Sequence, residues 1–267
     1  MSIFPEANKI KKEDINPNPK KLLIVKPPKT GGTRLAGALK DSFLLDLDGS
    51  SDFYETEAKV FDLKKNWKEY NEKQVKPVPY GAYAIKYLNH LHAKCKEEGP
   101  LAKYFILDTV TEFEEIAKYL ALMEYKKTAM GKSFTEDDIS LLPMGAGYGR
   151  IRSAFQKLYS MLEVCYTDCI IFIAHPKSSS IQVDGKELQA TDVALTGKLK
   201  LILAGDVDAM GTMYRKPKSN INILNFKTTQ QDLVSGARSP HLENRQIEIS
   251  ELLEDGTFVT HWDKIFV

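Results

Sequence analysis

The residues best suited to chemistry stand in KPPKTGGT, residues 26–33. Such a stretch can offer backbone N–H groups, a hydroxyl and positive charge to a phosphate. Laid against G-x-x-x-x-G-K-[ST], Gly31 and Thr33 fit, whereas Lys26 stands at the first glycine and Gly32 at the phosphate-gripping lysine. A second group is carboxylic. Asp46 and Asp48 lie in LLDLDG, and Asp108 closes the apolar run in FILDT. A carboxylate at the end of an apolar strand can bind Mg²⁺ through water and so neutralise phosphate charge. Asp before a helix is also an ordinary N-cap, so Asp108 draws its weight from following a candidate phosphate loop. His175 leaves another apolar run, CIIFIA.

Short apolar runs deliver each of these groups: Leu22–Val25, Phe43–Leu47, Tyr104–Leu107 and Ile170–Ala174. A fifth run, Leu199–Ala204, reads as a strand ending near Asp206 and Asp208. Helical spacing intervenes from Thr33 to about Lys40, through Ile85, Leu88 and Leu91, from Thr111 onward, and in RIRSAFQKLYSMLEV. Arg150 and Arg152 open that last helix, where the dipole favours anions, which makes them candidates for phosphate contact from outside. Strands alternating with helices predict a doubly wound, mainly parallel α/β sheet, with ligands at the C-terminal ends of its strands. Beyond Met213, polar and apolar residues alternate and Asp255–Gly256 marks a turn, so antiparallel strands complete the C-terminal edge. Residues 1–20 read as an extended lead-in and 21–267 as one domain; residues 126–149 read as a loop.

Composition bounds the rest. The chain of 267 residues is 43% hydrophobic, enough for a substantial core, and its net charge of +1 provides no global field for nucleic acid. Cys95, Cys165 and Cys169 lack metal-site spacing and are expected to be free thiols. His90 and His92, two apart on a helix, face different directions and make a poor metal pair. No apolar stretch reaches membrane-spanning length, and the Lys-rich start is not a secretory signal, so a soluble, cytoplasmic protein is expected.

The order of these motifs resembles a P-loop NTPase core of the RecA-like class. It resembles in particular the small AAA-type ATP-binding proteins of bacteriophages associated with single-strand annealing and recombination. The resemblance covers roughly residues 21–267 and rests on the loop at 22–33, LLDLDG, FILDT, FIAHPK, ALTGKL at 194–199 and SGARSPHL at 235–242. It implies ATP and Mg²⁺ as cofactors, with Lys29, Thr30, Gly31, Gly32, Thr33 and Arg34 around the nucleotide. Thr33 and Asp108 would hold the metal, Asp48 would orient the attacking water, and His175 would sense the γ-phosphate. Lys177–Lys198 would contact single-stranded DNA, with 126–149 as a second contact. In a homo-oligomer, Arg215, Lys216, Lys218 or Arg238 would complete a neighbour's site. A phage-encoded chain of this kind would work in the host cytoplasm.

Gly32 departs from that pattern. Loss of a charge-assisted contact to phosphate costs about 2–3 kcal/mol or more in binding. Lys29, within the loop, and Arg34, after Thr33, are the cations expected to compensate, Lys29 the better placed. Two functions therefore stand side by side: an ATPase acting on single-stranded DNA in recombination, repair or replication, and a degenerate P-loop scaffold that binds nucleotide or DNA with little or no hydrolysis. A nucleotide kinase ranks below both, because the few arginines are scattered and form no lid.

Overall fold

A computed structural model describes residues 15–183, 186–228 and 235–267, with the side chains of 179–191 left aside. The lead-in is thereby described only from residue 15, and its first 14 residues lie outside the described part.

Strand β1 (Lys21–Val25) leads through the glycine loop into α1 (Gly32–Gly37), and β2 (Ser42–Asp46) follows. A short strand that the apolar pattern did not signal, β3 (Lys59–Asp62), then runs beside β2 and turns at once into α2 (Leu63–Glu72). The side chain of Asp62 caps that helix by accepting from Lys65 N at 2.8 Å. Next come α3 (Tyr80–Glu98), β4 (Ala102–Asp108), α4 (Val110–Lys126), α5 (Ala146–Leu162) and β5 (Tyr166–Ala174). A hairpin, β6 (Pro176–Val183) and β7 (Lys186–Val193), stands apart from the main sheet as its own antiparallel pair. The chain then forms α6 (Leu199–Asp206), β8 (Ala209–Arg215), β9 (Ile221–Asn225), β10 (Gly236–Ala237), β11 (Gln246–Leu252) and β12 (Phe258–Thr260).

Among the described residues the main sheet has ten strands in the order β12-β11-β9-β8-β1-β5-β4-β2-β3, with β10 also paired to β8. From β8 to β3 every pairing is parallel; from β8 outward to β12 every pairing is antiparallel. This is the doubly wound, mainly parallel sheet with antiparallel C-terminal edge strands that the alternation of strands with helices and the alternating residues beyond Met213 predict. The buried strands read as continuous apolar runs because both faces are covered. Leu23, Val25, Leu45, Phe105, Leu107, Ile170 and Phe172 pack on α3, α4 and α5. Leu22, Ile24, Leu44, Ile106, Ile171 and Ile173 face the other way, toward Leu35 and Leu39 of the α1 segment and Trp262 and Ile265 from the C-terminal segment.

Three expectations change. Leu199–Ala204 is helix α6, and the strand it stood for is Ala209–Arg215. Leu199, Leu203 and Val207 are buried at a spacing of four while Leu201 is exposed, the signature of one helical face. Lys177–Lys198, the loop that the resemblance would set on single-stranded DNA, is mostly the β6–β7 hairpin. Helix α5 starts at Ala146, so Arg150 lies a turn inside it, with its guanidinium over the Tyr125 ring at 4.5 Å. Residues 126–149 contain three short 3₁₀ turns. The three cysteines are free and buried, and among the described residues no helix is long and apolar enough to cross a membrane.

Candidate functional site

Sheet register brings the chemistry together. Ile24, Ile173, Asp108, Asp46 and Asp62 lie side by side across β1, β5, β4, β2 and β3. Side chains alternate along a strand, and this row belongs to the face that carries α1. Two residues further on, in the same alternation, stand Lys26, His175 and Asp48. Each therefore leaves its strand at the C-terminal end of the parallel sheet, where open α/β sheets bind ligands.

The loop after β1 is held at both ends. Lys26 N donates to Ala174 O at 2.9 Å, continuing the sheet, and Leu35 N donates to Gly31 O at 2.9 Å, opening α1. Thr30 Oγ1 donates to Pro27 O at 2.8 Å across the turn. Gly31 has φ +84°, a left-handed conformation that glycine adopts without a Cβ penalty. Thr33 Oγ1 donates to Asp108 Oδ2 at 2.7 Å and lies 2.9 Å from Ser50 Oγ. The hydroxyl and the carboxylate, 75 positions apart in the chain, thus meet directly.

Asp108 is fully buried. Burial pushes its carboxyl up to about 7, the Thr33 hydrogen bond and the Lys26 charge pull it back, and Asp48 and Asp46 add to the rise. Its Oδ1, Asp48 Oδ1 and His175 Nδ1 are buried atoms without a hydrogen-bond partner among the described residues. Asp46 is occupied: it accepts from the backbone N–H groups of Asp48, Gly49, Ser50 and Ser51 at 2.8–3.1 Å. It shapes the loop that offers Asp48 and Ser50 to the site. Burial raises its pKa too, against the pull of the hydrogen bonds from Ser51 and Gly49. Neither this loop-organising role nor Ser50 was assigned from sequence, although a strand-terminal Asp followed by D-G-S-S is the pattern of a carboxylate satisfied by its own downstream backbone.

The candidate cations separate. Lys29 is exposed in a left-handed conformation, φ +64°. Arg34 points to a groove of about 580 Å³, where its guanidinium lies over Tyr54 at 5.1 Å and Phe258 at 4.4 Å. Arg215, Lys216 and Lys218 lie at the β8–β9 turn, on the loop's end of the sheet, with Lys216 paired to Glu248 at 3.1 Å. Arg238 is at the opposite end, where it donates to Gly205 O and approaches Asp208 at 3.5 Å. Lys26, not considered as a compensating cation from the sequence, is only 6% exposed and lies against Gly32.

Hard oxygen donors and an unpartnered carboxylate oxygen suit Mg²⁺, which takes one or two protein oxygens and otherwise water and phosphate. Among the described residues no cluster of three or more His, Cys, Asp or Glu forms a metal cage. A family model described as an AAA domain matches residues 18–238. No curated protein matches the chain. Among solved structures, a crystal structure of the RadB recombinase aligns over 90% of this chain and 90% of its own, at 13% identity and a TM-score of 0.39.

Proposed function

Because the chain belongs to the AAA domain family, we propose that it is a Mg-ATP-binding P-loop ATPase with its site at the C-terminal ends of β1, β2, β4 and β5. The observation that carries this reading is the Thr33–Asp108 hydrogen bond of 2.7 Å. It pairs the hydroxyl and the carboxylate that a Mg-nucleotide site requires. Bound Mg²⁺ would neutralise developing phosphate charge, with Thr33 and Asp108 as its protein-side holders. Gly31, Gly32 and Thr33 bring their backbone to the phosphates. Asp48, with one oxygen free, orients and deprotonates the attacking water, and His175 faces the terminal phosphate.

His175 also connects the site to the hairpin. Its carbonyl accepts from Ala194 N at 2.9 Å, so the residue closes the base of β6–β7. This supports the reading, taken from the phage-type resemblance, that nucleotide state is passed to a segment contacting single-stranded DNA during recombination or repair. The turn carrying Arg215, Lys216 and Lys218 is the part of the same end left for a neighbouring copy to use.

Turnover tests the proposal. Asp108→Ala should abolish Mg-dependent nucleotide binding and turnover, whereas Asp48→Asn should keep binding and lose about 10²–10⁴-fold in rate. Single-stranded DNA should stimulate the wild-type rate, and its binding should weaken with salt in a filter assay. One observation favours the scaffold reading: Gly32 stands in the place of the motif lysine. Tight Mg-ATP binding with no turnover above background would select it.

A further inference from the structure

We propose that Lys26 is the phosphate-gripping lysine of this loop, moved from the motif's seventh position to its first and reaching the same space by crossing over Gly32. This rests on the nucleotide-binding reading above and names the cation that it lacks. The two departures from the motif are reciprocal: lysine stands where glycine belongs, and glycine where lysine belongs. The structure makes them one exchange. A Cβ built on Gly32 would collide with Cδ and Cε of Lys26 and lie 3.3 Å from its Cγ. The Lys26 stem therefore occupies the room a side chain at position 32 would take, and glycine at 32 leaves that room open.

The direction of the side chain also fits. Lys26 is 94% buried, by its 6% exposure, and among the described residues its side chain makes no hydrogen bond or ion pair, only its backbone N–H bonding to Ala174 O. The stem is packed over Gly32 while the ammonium at its end has no side-chain partner among the described residues, and a nucleotide's phosphates in front of Gly31–Thr33 would provide an anion for it. The backbone at Lys26 is fixed to β5 by the bond to Ala174 O, so the side chain starts from a rigid strand end. Lys29 is exposed and Arg34 is stacked on Tyr54 and Phe258, so neither shares this position.

Calorimetric titration with Mg-ATP tests the exchange. Lys26→Met, which keeps the aliphatic stem, should weaken binding about ten- to hundredfold, with the nucleotide-free unfolding temperature unchanged or raised. Lys29→Met should stay within about twofold of wild type. Gly32→Ala, which pushes the Lys26 stem aside without removing charge, should also weaken binding. The double exchange Lys26→Gly with Gly32→Lys should recover it. No binding by the wild type overturns the nucleotide reading itself. Wild-type binding with Lys26→Met unaffected overturns only the role of Lys26. If Lys26→Met does not fold, Gly32→Ala decides, and full affinity there overturns the proposal.

Discussion

At the scale of single residues, Asp108 is a carboxyl held in a site that suits it better when neutral. Its folded pKa of about 7 lies above the ordinary 3.8 because burial disfavours its charge. Below about pH 4 the group is protonated in both folded and unfolded chains and costs nothing. Between about pH 4 and 7 the unfolded chain ionises the group while the folded chain keeps its proton, so stability falls across that window, by up to ~4 kcal/mol, and levels off above 7 where both states are ionised. Asp108→Asn should therefore raise the melting temperature of the nucleotide-free protein at pH 8, leave it nearly unchanged at pH 4, and flatten the profile between them. A thermal scan at several pH values checks this. Asp46, whose pKa burial also raises, differs in that its carboxylate satisfies four backbone donors. Asp46→Ala should cost about 3 kcal/mol in urea unfolding, because those donors lose their partner inside the fold. The placement of Asp108 and Asp48 at strand ends and of Thr33 after a glycine loop was legible in the sequence, because strand-terminal acids and a glycine loop leave a local signature. The place of Lys26 against Gly32 was not, because it depends on the empty volume over that glycine.

At the scale of elements, the hairpin is tied to the sheet through α4. Glu114 of α4 is buried and accepts from Thr196 N at 3.0 Å and from the Thr196 hydroxyl, anchoring the segment that joins β7 to α6. Lys200 pairs with Asp192 beside it. Glu114→Ala should speed amide exchange in 194–198 by about ten- to hundredfold, leaving β1 and β5 protected; hydrogen-exchange mass spectrometry reads both. An unchanged rate would mean that the tether is redundant. Runs such as 22–25 and 170–174 were legible because a strand covered on both faces needs no alternation. The run at 199–204 was misleading for the same reason: a short apolar run is equally compatible with a helix segment. Strand β8, with Gly211 and Thr212 in its middle, carries too little apolar pattern to stand out, and its pairing with β1 makes it a strand.

At the scale of the whole molecule, the C-terminal segment is the back support of the phosphate loop. Trp262 packs with Leu35, Ala36 and Leu39, and its Nε1 donates to Leu35 O at 3.1 Å, 227 positions away. Trp262→Ala should cost about 3–5 kcal/mol by cavity formation, and Trp262→Phe only about 1 kcal/mol, the hydrogen bond alone. Denaturant unfolding separates the two variants. The sequence by itself determined the alternation of strand and helix, the antiparallel edge and the polar residues that end the strands, because burial pattern and turn chemistry are local properties. Tertiary structure alone decided which of those residues meet. Parallel register sets Asp108 beside Asp46, α1 packing carries Thr33 to Asp108, and the missing side chain at Gly32 lets Lys26 cross the loop. Contacts between residues far apart in the chain follow from the geometry of packed layers, which no single stretch of sequence contains.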